Sequence, residues 1–185
     1  MVMDKITENQ TIIISLDVDA LLFDKLQFIT QAGFTVVELN GVDQSTLRTA
    51  LQSFPQLRIG AGNVLTTQQL EDYYQTGAHF VTSPGFLPAI AQTANIYSIN
   101  YLPGIATISE AMQAMAIGCH YVRPFPASLT LCTLLNKYLP LLRLFPAEIE
   151  WDEADHFLNL PAVAAVSILN PEKKQLQSLS SSVCI

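Results

Sequence analysis

Short apolar, β-prone runs recur along the chain. They begin near Thr11 (TIIISL), Thr35 (TVVEL), Leu57 (LRIGA), His79 (HFVTS), Tyr97 (YSINYL), Cys119 (CHYVRPF), Leu141 (LLRLF) and Ala162 (AVAAVSI). Most start roughly 22 residues after the last, the length of one strand–loop–helix unit. The runs are apolar on both faces, as expected of parallel strands covered by helices. Between them the spacing turns helical. Leu21, Leu22, Leu26 and Ile29 fall on one face, as do Ala111, Met112, Met115 and Ala116 on another. Gly33, Gly77 and Gly118 each close a helical stretch just before a strand, where glycine tolerates a left-handed backbone. Thr107 or Ser109 is expected to cap the helix carrying Glu110, and Thr66 or Thr67 the helix carrying Glu71.

Eight alternating units predict an α/β fold of the compact (β/α)8 TIM-barrel type, in a single domain over residues 1–185. Such a barrel is short, since roughly 250 residues is typical. An open doubly wound sheet is the competing architecture. Residues 1–10 read as an N-terminal segment and residues 178–185 as a frayed tail. The stretch 151–160 is short and acidic for a helix.

Composition adds an expectation about assembly. Half the residues are hydrophobic and only 14% are charged, which leaves few charges to coat a surface. A buried interface between copies is the simple remedy, so a homo-oligomer is expected. A net charge of -7 argues against nucleic acid, which is bound by basic residues. The N-terminus is polar and has no signal-peptide run. No segment approaches the roughly 20 apolar residues of a membrane span. Cys119, Cys132 and Cys184 lack C-x-x-C spacing and read as reduced thiols, in keeping with a cytoplasmic protein. Cys184 is second from the end, not fourth as a prenylation box requires.

In a barrel of this kind the chemistry lies at the C-terminal ends of the strands. That rule selects Asp17, Asp19, Glu38, Asn40 and residues 60–63, 83–85, 103–107, 123–128 and 147–150. Glu38 is flanked by apolar residues, which suits either a general acid/base or an ion-pair partner for Arg123. Arg123 could clamp a carboxylate in bidentate fashion or simply neutralise Glu38. His79 and His120 suit packing or a backbone hydrogen bond, and His156 lies on an acidic face. Cys119 and His120 are adjacent in a strand, so they point to opposite sides and form no dyad. Met112 and Met115 read as core.

Four segments carry a resemblance. Gly60-Ala61-Gly62-Asn63-Val64-Leu65, Thr82-Ser83-Pro84-Gly85, Leu102-Pro103-Gly104-Ile105-Ala106-Thr107-Ile108-Ser109-Glu110 and Phe125-Pro126-Ala127 stand in order at strand ends. Together they resemble the 2-keto-3-deoxy-6-phosphogluconate (KDPG) / 4-hydroxy-2-oxoglutarate (KHG) aldolase family, from about residue 11 to residue 126. The resemblance implies a class I aldolase on a trimeric barrel, with no cofactor and no metal. A lysine forms a Schiff base with a 2-keto acid, and a glutamate moves protons during cleavage to pyruvate and an aldehyde. Val36-Val37-Glu38 matches the strand carrying that glutamate. The motifs put forward Asn63 (commonly threonine in the family), Pro84, Gly85, Gly104, Thr107 and Phe125 as substrate-lining positions.

The departures bear on function. The family's Schiff-base lysine stands two residues before Phe-Pro-Ala, where this chain has Arg123. A Schiff base needs a neutral primary amine, and arginine stays protonated with its charge delocalised. The lysines are Lys5, Lys25, Lys137, Lys173 and Lys174, none at the C-terminal end of an expected strand. The family's Thr-Leu-Arg-Thr run after strand 2 is replaced by Asn40-Gly41-Val42-Asp43, and Arg48 lies in the next helix. The family's phosphate-holding glycine pairs are replaced by Pro146-Ala147-Glu148-Ile149 and Ser167-Ile168-Leu169-Asn170. Such a cradle needs free N–H groups, which proline lacks, and Glu148 adds a like charge.

Three functional readings follow. The chain is an aldolase-family protein without Schiff-base activity that binds a small carboxylate or 2-keto acid. Alternatively it is a lyase on a non-phosphorylated keto acid by a lysine-independent route, with a metal held by Glu38 and Asp17, Asp43 or Glu148. A third reading is a structural or regulatory oligomer subunit.

Overall fold

The structure, a computed structural model, describes residues 4–182 and the side chains of residues 4–178. Strands and helices alternate. In order they are β1 (Ile12–Asp17), α1 (Leu22–Gln31), β2 (Val36–Asn40), α2 (Gln44–Ser53), β3 (Arg58–Gly62), α3 (Thr67–Thr76), β4 (Val81–Thr82) and α4 (Pro88–Ile96). Next come β5 (Tyr101–Leu102), β6 (Gly104–Ile105), α5 (Ile108–Ala116), β7 (Tyr121–Pro124), α6 (Leu129–Tyr138) and β8 (Arg143–Leu144). The chain then makes a 3-10 turn and forms α7 (Ala154–Leu158), β9 (Val166–Leu169) and α8 (Lys173–Ser182).

All strand pairs are parallel, in two sheets ordered β5-β4-β3-β2-β1-β9 and β6-β7-β8. β5 and β6 form one run broken at Pro103, which has no N–H for a ladder. Its carbonyl still accepts from Arg123 N at 2.8 Å. At the other edge, Leu144 N donates to Ala162 O and Ala164 N to Leu144 O, at 2.8 and 2.9 Å. The strands thus form a curled parallel sheet with helices on its convex side.

The period of two along each strand sorts side chains between two buried clusters. Ile12, Ile14, Leu16, Val37, Leu39, Ile59, Ala61, Val81, Val122, Leu144 and Val166 pack outward against the helices. Ile13, Val36, Phe80, Leu102, Phe145 and Ala165 fill the concave side. Gly60 faces the same space, and a Cβ there would fall 2.3 Å from the Phe80 ring. Ile6 closes the floor of this inner cluster, fully buried. Residues 4–11, before β1, are therefore tied to the strands. Arg58 holds them by donating to Ile6 O, Lys5 O and the Glu8 carboxylate at 2.9, 2.7 and 2.6 Å.

Gly33, Gly77 and Gly118 adopt positive φ at helix C-termini, as their placement before strands implied. Thr66 and Thr107, among the alternatives offered, are the N-caps of α3 and α5, and Glu110 completes a capping box with Thr107. Thr107→Ala is expected to cost about 1 kcal/mol in urea unfolding, the usual value of a lost cap.

Several expectations need correction. Leu21 is 59% exposed, because it precedes the first turn of α1 and lies outside the phase that buries Leu22, Leu26 and Ile29. Met112 is 57% exposed. Ala111 and Ala114 form the buried face of α5, and small side chains let that helix sit close on the strands. Tyr97 ends α4 rather than opening a strand, its N–H bonded to Thr93 O at 3.1 Å. α8 carries helix through Ser182, past residue 178 where a frayed tail was expected. Cys184 and the rest of 183–185 lie outside the described residues. No helix among the described residues is long and apolar enough to cross a membrane.

Candidate functional site

Above the inner apolar layer, the same inward-facing register turns polar. Two residues after Ile13 stands Ser15. Two after Val36 stands Glu38, then Asn40. Two after Phe80 stands Thr82, and two after Tyr121 stands Arg123. Ser167 follows Ala165 on β9 in the same way. All of these side chains are buried. One layer of the concave side is thus built from charge and hydroxyl groups.

Glu38 and Arg123 meet at its centre. Arg123 Nη2 lies 3.4 Å from Glu38 Oε1, with side chains 3% and 1% exposed. The Thr82 hydroxyl donates a short hydrogen bond to the same Oε1. Arg123 also lies over the Phe125 ring, 5.2 Å from its centroid. A second carboxylate, Glu148, reaches 4.0 Å from Nη2 from the loop after β8. Nη2 nevertheless has no hydrogen-bond partner among the described residues. Burial pushes the Glu148 carboxyl above the usual carboxylate range. The Arg123 charge opposes that, and Glu38 and Asp17 add to it.

Gly62 makes room for this arrangement. A Cβ there would fall 2.1 Å from Asn40 Oδ1 and 2.6 Å from Glu38 Oε1. Asn40 Nδ2 donates to Ser15 Oγ at 2.9 Å, while its Oδ1 has no partner among the described residues.

The three loops around the mouth are stitched to one another. Val64 N donates to Thr82 O at 3.0 Å, and the Ser83 hydroxyl donates to Val64 O at 2.6 Å. The Tyr101 hydroxyl donates to Ser83 Oγ at 2.9 Å, and burial pushes its pKa up to about 12. At Gly104 an added Cβ would fall 2.3 Å from the backbone C and O of Pro84 and 2.6 Å from Gly85 N. Three of the short motifs read from the sequence are therefore consecutive walls of one mouth.

The remaining candidates are placed less centrally. Asn63 is exposed with φ of 61°, and it is Thr66 that caps the helix after it. The Thr107 hydroxyl is engaged by Glu110 in the cap. Asp43 accepts from Thr46 N and its hydroxyl as the cap of α2. Asp17 accepts from Asn170 Nδ2 at 2.8 Å. Among the described residues, no three His, Cys, Asp or Glu side chains converge as a metal site. His79 Nδ1 accepts from Ile59 N at 3.0 Å, and burial lowers its pKa. Cys119 and Cys132 are buried thiols whose pKa values burial raises.

Sequence reasoning gave no site role to Ser15, or to Thr82 and Ser167 within the segments it quoted. Strand parity was the available signal, since each stands two positions above an inner-core residue. Apolar runs hide that parity, because both faces of these strands are buried.

A family model for "KDPG and KHG aldolase" matches residues 5–176. The chain belongs to the KDPG and KHG aldolase family. The curated relatives it resembles include a "Probable 2-dehydro-3-deoxy-6-phosphogalactonate aldolase" of Rhizobium meliloti. That protein is 36% identical over 104 residues, which cover 54% of this chain and 49% of the relative. A "KHG/KDPG aldolase" of Escherichia coli is 37% identical over 81 residues, 44% of this chain and 38% of the relative. The matches thus span about half or less of these relatives. In three dimensions the chain is similar to a KDPG aldolase from Legionella pneumophila described with pyruvate captured as a covalent carbinolamine. The TM-score is 0.84 at 24% identity, covering 95% of this chain and 94% of that one. A Zymomonas mobilis 2-keto-3-deoxy-6-phosphogluconate aldolase gives a TM-score of 0.84 at 20% identity, with 96% and 94% covered. At these identities the likeness establishes the fold.

Proposed function

We propose that this chain is a KDPG/KHG aldolase-family protein, closed as a (β/α)8 barrel, that has lost Schiff-base chemistry and receives a small unphosphorylated carboxylate. The observation carrying this reading is Arg123, buried against Glu38; the resemblance puts the family's lysine at this residue, two before Phe125-Pro126-Ala127. A guanidinium cannot become the neutral primary amine that attacks a ketone. Arg123 can still hold a carboxylate, and its Nη2, which has no hydrogen-bond partner among the described residues, supports that role. Glu38 shares its charge with Arg123 and accepts from Thr82, which suits an internal counter-ion better than a free proton carrier. Hydrogen bonds across Pro103 and between Leu144 and residues 162–164 support closure of the barrel.

The substrate class is narrowed by the loop after β8. Pro146 offers no N–H, and Glu148 places a carboxylate where a phosphate would meet repulsion. A metal-assisted lyase is less well supported, because Asp43 is committed to a cap and the described residues converge on no three-ligand group. We further propose a cytoplasmic homo-oligomer, a trimer by family likeness. A charged fraction of only 14% supports self-association.

Mass spectrometry tests the chemistry directly. Incubation with pyruvate and borohydride is expected to leave the mass of the chain unchanged. Cleavage of 4-hydroxy-2-oxoglutarate is expected to stay at the uncatalysed rate. A trapped pyruvate adduct, or turnover that borohydride and pyruvate abolish, would overturn the reading.

A further inference from the structure

Building on the reading of the mouth as a carboxylate site without Schiff-base chemistry, we propose that Glu148 is a built-in competitor for Arg123. Its carboxylate guards the outer side of the guanidinium, and a small free monocarboxylate binds there when Glu148 is neutralised or withdrawn.

The geometry of Nη2 is the first support. A guanidinium N–H bonds a carboxylate oxygen at about 2.7–2.9 Å. Here the two carboxylates stand at 3.4 and 4.0 Å, and Nη2 makes no hydrogen bond among the described residues. It is a buried donor with charged neighbours and unused capacity. A third acceptor that reaches it gains a charge-assisted bond in a place screened from water.

The two carboxylates differ in their freedom to move. Glu38 has a side chain 1% exposed and is bonded by Thr82. The Glu148 side chain is 31% exposed, and it accepts no side-chain hydrogen bond among the described residues that would hold it as Thr82 holds Glu38. Only Glu148 has somewhere to go.

The Glu148 backbone is fixed, so its place at the mouth is built in. Its N–H donates to Ser167 Oγ at 3.1 Å. Its neighbours are tied as well, Ala147 N to Pro124 O and Ile149 N to Ser167 O, both at 3.1 Å. Between these anchors Glu148 adopts φ of 56°, a left-handed conformation that a non-glycine residue reaches at a cost of about 1 kcal/mol. Such conformations persist where surrounding contacts over-determine them, often at ligand sites.

Charge then sets the condition for binding. The charged groups facing Glu148 are Arg123 on β7, Glu38 on β2 and Asp17 on β1. With all three carboxylates ionised, the mouth carries excess negative charge and repels an anion. Protonating Glu148 removes the part-exposed negative charge that stands 4.0 Å from Arg123 Nη2. Burial raises the Glu148 pKa, so it takes a proton at a higher pH than a free glutamate does. A ligand of lower pKa remains ionised in that window. Carboxylate binding is therefore expected to tighten as pH falls from neutral through the Glu148 titration.

Lactate is the probe, because its carboxyl is a stronger acid than a glutamate side chain and it has no ketone to attack. The full chain and its Glu148→Gln variant are titrated with it, read by the fluorescence of Trp151. This is the chain's only tryptophan, three residues from Glu148. Glu148→Gln is expected to bind about tenfold more tightly than the wild type near pH 7, a discounted value for one partly solvated like charge. The wild type should approach the variant as pH falls, while the variant stays level. Adding Arg123→Met with Glu38→Gln, checked for fold by circular dichroism, should abolish the binding. Equal affinities of wild type and Glu148→Gln, or binding by neither, would overturn the proposal. A borohydride-trapped pyruvate adduct would instead sink the reading without Schiff-base chemistry and leave the Glu148 competition standing.

Discussion

Arg123→Met is expected to lower the unfolding free energy by about 3–5 kcal/mol, the cost of leaving a buried charge without its partner. Glu38 is almost fully enclosed, and its nearest cation is Arg123. Removing the guanidinium leaves the carboxylate with the Thr82 hydroxyl, one neutral donor. Glu38→Gln, which strands the cation instead, should also be destabilising. The informative result is the double variant. Arg123→Met with Glu38→Gln removes both charges and keeps an acceptor for Thr82. It should recover most of the loss, because buried ion pairs add little net stability over neutral replacements. Urea unfolding of the four proteins gives the coupling energy. Additive losses would show that the two charges do not act as a pair. If Arg123→Met alone were harmless, the centre of the site would be wetter than its burial implies.

Gly104→Ala is expected to rank next, with a loss of about 1–3 kcal/mol or more from overpacking. The added methyl group would meet the Pro84 carbonyl at 2.3 Å and the Gly85 amide at 2.6 Å. These are backbone atoms in a loop already bonded on both sides, through Ser83 to Val64 and to Tyr101. The contact cannot be relieved by rotating a side chain. The loop must move, and with it the wall beside Arg123, since Gly104 is the register partner of that residue. The glycine has no special φ here, so its role is close approach alone. Gly85→Ala serves as the control, because nothing lies within 4 Å of a Cβ built there. Unfolding midpoints that fall equally for both would refute the steric account.

Much of the site was legible before any geometry. Glu38 and Arg123 were singled out as facing the same mouth, and the structure brings them together. Their pairing was one of two alternatives, since an apolar-flanked glutamate reads equally as an acid/base group or as a counter-ion. Spacing along a strand cannot decide between these, because the answer depends on a neighbour some eighty residues away in sequence. Asp43 shows the converse. A carboxylate just beyond a strand end looks like a site residue, yet Thr46 binds it as a helix cap.

The sequence by itself determined the order of strand and helix, the motifs that make the mouth and the absence of a lysine at the strand ends. These follow from local chemistry: apolar runs, glycine after helices, capping side chains and the fixed protonation of arginine. Tertiary structure decided which groups share one charge. Only the curl of the sheet carries β2, β4, β7 and the loop after β8 to one point, where Glu38, Thr82 and Arg123 are buried together and the part-exposed Glu148 meets Arg123. Removal from water makes each of those charges depend on the others, and that dependence arises only when the strands converge.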